Sequence, residues 1–337
     1  MPAPSPNEEI LEPDLPICDP HHHLWDFSTP NSPVLSGRYL LPDLLADLGS
    51  GHNIESTVFV ECTAFYRADG PEEMKVIGET EFVNGAAAMA ASGRYGKIRA
   101  CEGIVSRADL SLGSAVGRVL DAHIAAGNGR FRGIRHAAGW DASPDVRNSH
   151  TNPPEHLYAE PKFRDGLKEL AKRKLTFEAW QYHTQLPDVI ALARAVPDAR
   201  IVLDHVGGPL GIGPYTGKRD EVFALWARGI KELATCPNVY VKLGGLGMTI
   251  CGFGFNKRDV LPGSEELAQV WRPYLETCIE AFGVNRGMLE SNFPVDGASC
   301  SYQALWNAFK RVTKGASAAD KAALYRNTAR KFYSLDS

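Results

Sequence analysis

Three features of the 337-residue sequence predict a single (β/α)8 barrel. Short apolar, β-branched runs alternate with longer amphipathic stretches, and the alternation repeats eight times. Several runs, such as Ile201-Val202-Leu203, are apolar throughout, as strands covered on both faces should be. The predicted strands lie at 17–20, 56–62, 97–104, 131–136, 175–180, 199–204, 238–243 and 287–291. A doubly wound open sheet is the rival architecture, but no GxGxxG follows an early strand.

Between the strands, 78–91 is Ala-rich, and 110–126, 163–174, 186–195 and 221–235 carry apolar residues at helical spacing. Segment 264–282 opens with Ser264, Glu265 and Glu266, a helix-start signal. A last helix starts from Ser317, with Asp320 three residues on in a capping arrangement. Residues 1–16 are Pro-rich and acidic, and lack a basic stretch followed by an apolar one. They are expected to be a disordered lead-in to a barrel domain over 17–337. Three long connections, 137–160, 207–220 and 244–264, all follow strands, where a barrel builds its active face.

Composition narrows the function. A net charge of −4 argues against nucleic acid, whose phosphates need clustered Lys and Arg. No apolar run is long enough to span a membrane. Seven scattered cysteines with no CxxC fit reduced thiols and a cytoplasmic location better than a disulfide framework. A small-molecule substrate is therefore the expected partner, and a homo-oligomer is left open.

The chemistry is expected at the strand ends. In Asp19-Pro20-His21-His22-His23, extended backbone puts His21 and His23 on one face and His22 on the other. Two imidazoles on one face suit a divalent metal such as zinc or manganese, or a polarised carbonyl. His205 ends the sixth strand, before a Gly/Pro turn, with Asp204 facing the opposite way. The eighth strand runs into Glu290-Ser291-Asn292-Phe293-Pro294-Val295-Asp296. Asn292 stands where a carboxylate would point inward, and an amide is no general base. Asp296 is the first choice of base, with Glu290 deeper in the barrel. In the fifth strand, Glu178 is a reserve metal ligand or base, and Trp180 and His183 are candidates for the mouth. Arg135 ends the fourth strand and suits a substrate carboxylate or lactone carbonyl. Glu61 and Lys242 read equally well as an internal ion pair.

Taken together, these segments resemble the amidohydrolase superfamily. They are the Asp-x-His-x-His stretch with Leu24-Trp25-Asp26, Asp204-His205-Val206-Gly207-Gly208-Pro209, Ser291-Asn292-Phe293-Pro294-Val295-Asp296 and the terminal Asn327-Thr328-Ala329-Arg330-Lys331-Phe332-Tyr333. The nearest branch is the amidohydrolase-2 group of sugar-acid lactonases and 2-pyrone-4,6-dicarboxylate lactonase. Arg38-Tyr39-Leu40-Leu41-Pro42-Asp43-Leu44 resembles the segment after the first strand there, which places Tyr39 among the substrate-binding candidates.

The resemblance implies a (β/α)8 barrel that hydrolyses a C–O bond, usually of a lactone. It puts His21 and His23 at the HxH positions, His205 at the later histidine and Asn292 where the branch carries a catalytic aspartate. The expected metal set is His21, His23, His205 and Glu178. Some members of the branch work without metal, so a metal-independent mechanism stays open. A metal-dependent decarboxylase of the same superfamily and a non-catalytic ligand-binding barrel are the alternatives.

Overall fold

The computed structural model describes residues 3–27 and 37–335. Eight strands form one parallel sheet in chain order: β1 (Ile17–His22), β2 (Ile54–Val60), β3 (Arg99–Ser106), β4 (Phe131–Arg135), β5 (Thr176–Ala179), β6 (Arg200–Leu203), β7 (Val239–Leu243) and β8 (Gly287–Leu289). Each overlaps a predicted strand. Their residues are buried on both faces, which explains the unbroken apolar runs.

The sheet closes just past β8. The Asn292 N–H donates to the His21 carbonyl (2.9 Å), and the His23 N–H donates to the Phe293 carbonyl (2.8 Å). Asp19 locks this seam. Its Oδ1 accepts from the Ser291 N–H (2.9 Å) and its Oδ2 from the Tyr302 hydroxyl (3.0 Å). Burial pushes the Asp19 carboxyl up to about 6. The result is a (β/α)8 TIM barrel.

A helix follows each strand: Leu41–Leu48, Ile77–Ala91, Gly117–Gly127, Pro161–Lys172, Leu186–Ala195, Arg219–Leu233, Ser264–Phe282 and Tyr302–Val312. The first and last of these were not among the expected helices. The predicted 110–126 helix starts only at Gly117, because Gly113 at φ 60° breaks the preceding turn. Ser317 caps its helix as expected, accepting from the Asp320 N–H at 3.1 Å. Ser264 does not cap its own. The Glu8 carboxylate does so from outside, accepting from the Ser264 N–H at 2.6 Å.

That contact belongs to the segment expected as a disordered lead-in. Residues 3–16 lie along the outer helices. Lys310 Nζ donates to the carbonyls of Leu11 (2.7 Å) and Glu12 (2.9 Å), and the Asn307 amide binds Leu11 N–H and the Glu9 carbonyl. The polar composition of this segment serves inter-element bonds.

The barrel interior is filled from one end by the end of the chain. Val58, Val60, Val105, Val202 and Met288 cluster with Phe332, Tyr333 and Leu335. Arg200 and Arg330 tie the same segment to the strand starts. The opposite end, where the strands finish, is left for the long loops. All seven cysteines are free thiols. Among the described residues, no helix is long and apolar enough to cross a membrane.

Candidate active site

His21 and His23 share a face, as the two-residue period requires, with ring centroids 5.0 Å apart. His205 comes in from the end of β6, 4.5 Å from His21. His22 points the other way and packs against Phe59. Its Nε2 lies 2.8 Å from the Thr57 hydroxyl, and burial pushes its pKa down to about 4.

Behind the histidines lies a fully buried charge network. Glu290 spans two of them: Oε2 is 2.8 Å from His21 Nδ1 and Oε1 is 2.7 Å from His205 Nδ1. Burial pushes its carboxyl up to about 8, with Lys242 pulling against the shift. Lys242 Nζ contacts Glu178 Oε2 and lies 3.4 Å from Asp204 Oδ1 and 3.1 Å from His21 Nδ1. Burial alone would lower the lysine, but Glu178 and Asp204 outweigh it and hold it charged.

Glu178 also accepts from the Tyr333 hydroxyl. Burial would raise its carboxyl; Lys242 overrides that and keeps it ionised. Burial and the neighbouring Glu178 push Asp204 well above the ordinary carboxylate range. Burial drives His21, His23 and His205 well below the ordinary imidazole value, with nearby Arg and Lys charges adding to the effect.

Arg135 binds Glu61 twice, through Nε to Oε1 (2.8 Å) and through NH2 to the carbonyl. Its NH1 lies 3.2 Å from His21 Nε2 and 3.6 Å from Asp204 Oδ2. Glu61 and Lys242 are therefore not an internal pair. Each has a different partner: Glu61, just past β2, pairs with Arg135 at the end of β4, and Lys242 of β7 pairs with Glu178 of β5.

A cavity of about 820 Å³ opens over this network, walled by the three long loops. His23, His205, Asn292, Arg135 and Trp180 line it. Five other candidates do not. His21 lies directly beneath the wall, fully buried. Glu178 is held by Lys242 and Tyr333. His183 turns its ring to Tyr215 and accepts from the Leu210 N–H at 3.3 Å. The Tyr39 hydroxyl donates to Asp47 (2.6 Å), in a two-stranded hairpin with 25–27. Asp296 is fully buried, with Oδ2 accepting from the Gly247 N–H at 2.9 Å.

The Asp296 carboxyl group meets the cavity only through Asn292. The Asn292 Nδ2 donates to Asp296 Oδ1 (2.8 Å), and its Oδ1 faces His23 Nε2 (3.3 Å). His23 Nδ1 donates to the Val60 carbonyl (2.8 Å), so its Nε2 is an acceptor. Burial pushes Asp296 up to about 8. With the amide turned over, a protonated Asp296 would donate to the amide oxygen and the amide NH2 to His23, an orientation that satisfies every atom.

Sequence reasoning missed Arg147, Asn148, Ser149 and His150, which wall the cavity from loop 137–160. The loop's length was the available signal, but not which of its side chains turn inward. His150 Nε2 lies 3.3 Å from Glu61 Oε2, so the rim connects to Arg135 through one carboxylate.

The donor chemistry fits a divalent metal ion. His21, Asp204 and His205 offer two nitrogens and a carboxylate oxygen within 4.8 Å of one another, and both Asp204 oxygens are buried without a hydrogen bond. Glu178 is not among these donors, and His23 is turned to Val60 and Asn292.

Known proteins resemble this chain over nearly its whole length. The uncharacterized protein y4mH of Sinorhizobium fredii is 35% identical, covering 95% of this chain and 99% of its own. An L-fucono-1,5-lactonase of Burkholderia multivorans is 26% identical over 94% of this chain and 95% of its own. A crystal structure of an amidohydrolase from Burkholderia multivorans with bound HEPES superimposes with a TM-score of 0.70 at 25% identity, covering 95% of this chain and 99% of that one. A second crystal form, with bound zinc, superimposes at 0.66 and 24% identity, with the same coverage. The family model described as amidohydrolase matches residues 18–335. The chain thus belongs to the amidohydrolase-2 family.

Proposed function

We propose that this chain hydrolyses the lactone or related ester of a small anionic substrate, with His205 as the base. One observation carries the reading: His205 Nδ1 is held by Glu290 at 2.7 Å, which leaves Nε2 to the cavity. The carboxylates considered as bases (Asp296, Glu178, Glu290) are all fully buried beneath the wall. Once Glu290 ionises, above its raised pKa of about 8, a neutral imidazole backed by a carboxylate is suited to take a proton from water.

Water then attacks the substrate carbonyl as His205 Nε2 takes its proton, and a C–O bond forms. Glu290 steadies the resulting imidazolium. Arg135 NH1, at the cavity floor, balances charge on the carbonyl oxygen. Collapse of the tetrahedral intermediate breaks the ring C–O bond, and His205 Nε2 returns the proton to the leaving oxygen. The product is a hydroxy acid. Asn292 holds His23, and with it the floor of the site.

A divalent ion of the zinc or manganese type would be held by His21, Asp204 and His205 and would supply Lewis-acid polarisation of the carbonyl; the lone pair of His205 Nε2 would then be engaged, so the base role of His205 belongs to the metal-free site. Arg147 on the rim supplies positive charge for an anionic substrate, while Arg135, paired with Glu61, serves the carbonyl. Trp180 and Ile250 offer an apolar wall to the ring. The lactonase among the relatives supports the bond type.

The test is turnover of an aldonolactone and pyrone-dicarboxylate panel, with and without added Zn2+ or Mn2+. Ring opening is expected. No turnover under either condition would count against the reading, and CO2 release from an aromatic acid would favour the decarboxylase alternative.

A further inference from the structure

We infer that the Arg135 guanidinium is a resident rival of the metal ion: it sits on the donors a divalent cation would use, and metal uptake requires it to withdraw. Two distances support this. Arg135 NH1 is 3.2 Å from His21 Nε2 and 3.6 Å from Asp204 Oδ2.

The fit around His21 is frustrated. A neutral imidazole has one lone pair. His21 nonetheless faces two side chains that can only donate, Arg135 at Nε2 and Lys242 at Nδ1 (3.1 Å), while Glu290 Oε2 lies 2.8 Å from the same Nδ1 with no hydrogen bond formed. Only one of the two cations can be satisfied there. Asp204 shows the same mismatch. Arg135 and Lys242 flank it at 3.6 and 3.4 Å, yet neither carboxylate oxygen receives a hydrogen bond. A compact dication would match these donors better than a planar guanidinium placed at their edge.

What keeps the guanidinium in place is Glu61. This fully buried carboxylate takes Arg135 Nε at 2.8 Å, and its backbone carbonyl takes NH2. The metal response of this chain is therefore set by one side chain outside the donor set. This inference does not depend on lactone hydrolysis, because its readout is metal affinity.

The experiment titrates Zn2+ calorimetrically, and Co2+ by its visible d–d absorption, into the full chain. The variants are wild type, Arg135→Gln, Arg135→Lys and Arg135→Gln/Asp204→Asn, with circular dichroism to establish folding. Arg135→Gln is expected to bind one equivalent at least about tenfold more tightly than wild type, the scale of a partner that tunes a metal site from outside. Arg135→Lys, which keeps the charge, should stay near wild type, and adding Asp204→Asn should abolish the gain.

Equal or weaker binding by folded Arg135→Gln overturns the inference. If that variant does not fold, a zinc-soaked crystal of the wild type decides. Metal on His21 with Arg135 displaced upholds the rivalry. Metal on His21 with Arg135 still against Nε2 overturns it.

Discussion

Replacing Lys242 with methionine tests whether this residue holds the barrel together or serves the chemistry. Lys242 and Glu178 are both completely buried. The substitution keeps the length of the side chain and removes the charge. Glu178 then keeps the Tyr333 hydroxyl and the neighbouring Asp204 as partners but loses its counterion. Breaking a buried pair from one side costs about 3–5 kcal/mol, since the remaining charge loses its counterion. At about 2 °C per kcal/mol for a domain of this size, that is a fall of roughly 6–10 °C in Tm.

The double variant Lys242→Met/Glu178→Gln removes both charges and leaves Tyr333 an amide oxygen to donate to. It should recover much of the loss, with a coupling of about 2 kcal/mol in the cycle. Urea unfolding followed by fluorescence and circular dichroism gives all four corners. A Lys242→Met loss below about 1 kcal/mol, or strict additivity in the double variant, would refute the claim that this pair is a structural element of the core.

Asp296→Asn reproduces the shape and donor of the protonated acid, so kcat is expected within about threefold of wild type; a fall of about a hundredfold or more, the scale of a lost general base, would restore Asp296 as the base. Glu290→Gln leaves one acceptor for two imidazole N–H groups. It should lower kcat about 10–100-fold with KM nearly unchanged, and an unchanged kcat would separate His205 from its partner. The ammonium of Lys310, which holds the N-terminal segment, is pushed down to about 8 by burial. Its unfolded pKa is about 10.4, so between these values the unfolded chain binds the extra proton. Stability should therefore rise from pH 8 to about 10.4. Urea midpoints measured across that window check the sign, and Lys310→Met should flatten the rise.

Much of the fold was legible because the barrel uses the plainest signals in the chain. Strands buried on both faces are apolar without interruption, and residue parity fixes which side chains face inward. That logic correctly put His21 and His23 together and His22 apart. It failed where a side chain's partner comes from another strand. Glu178 faces inward as parity requires, but Lys242, two strands along the barrel and 64 residues away in the chain, has claimed it. Asp296 lies four residues past Asn292, yet the turn there aims it at Gly247. The N-terminal segment looked disordered because its composition is polar, and composition does not say whether polar groups meet water or a helix end. Loop 137–160 carries Arg147 and His150 to the cavity by a path with no periodicity to read.

The turn after β6 has a consequence for how this protein would respond to selection. His205 and Val206 both adopt positive φ, 53° and 47°. Histidine tolerates that region moderately; a β-branched valine is an outlier there, at a cost of order 1–3 kcal/mol. A library randomised at 205 and 206 and screened only for soluble yield should drift toward glycine and asparagine. The same library screened for turnover should hold His205. Comparing the two populations would show, without any assumption about the substrate, which of these strained positions is kept for chemistry and which for packing beneath it.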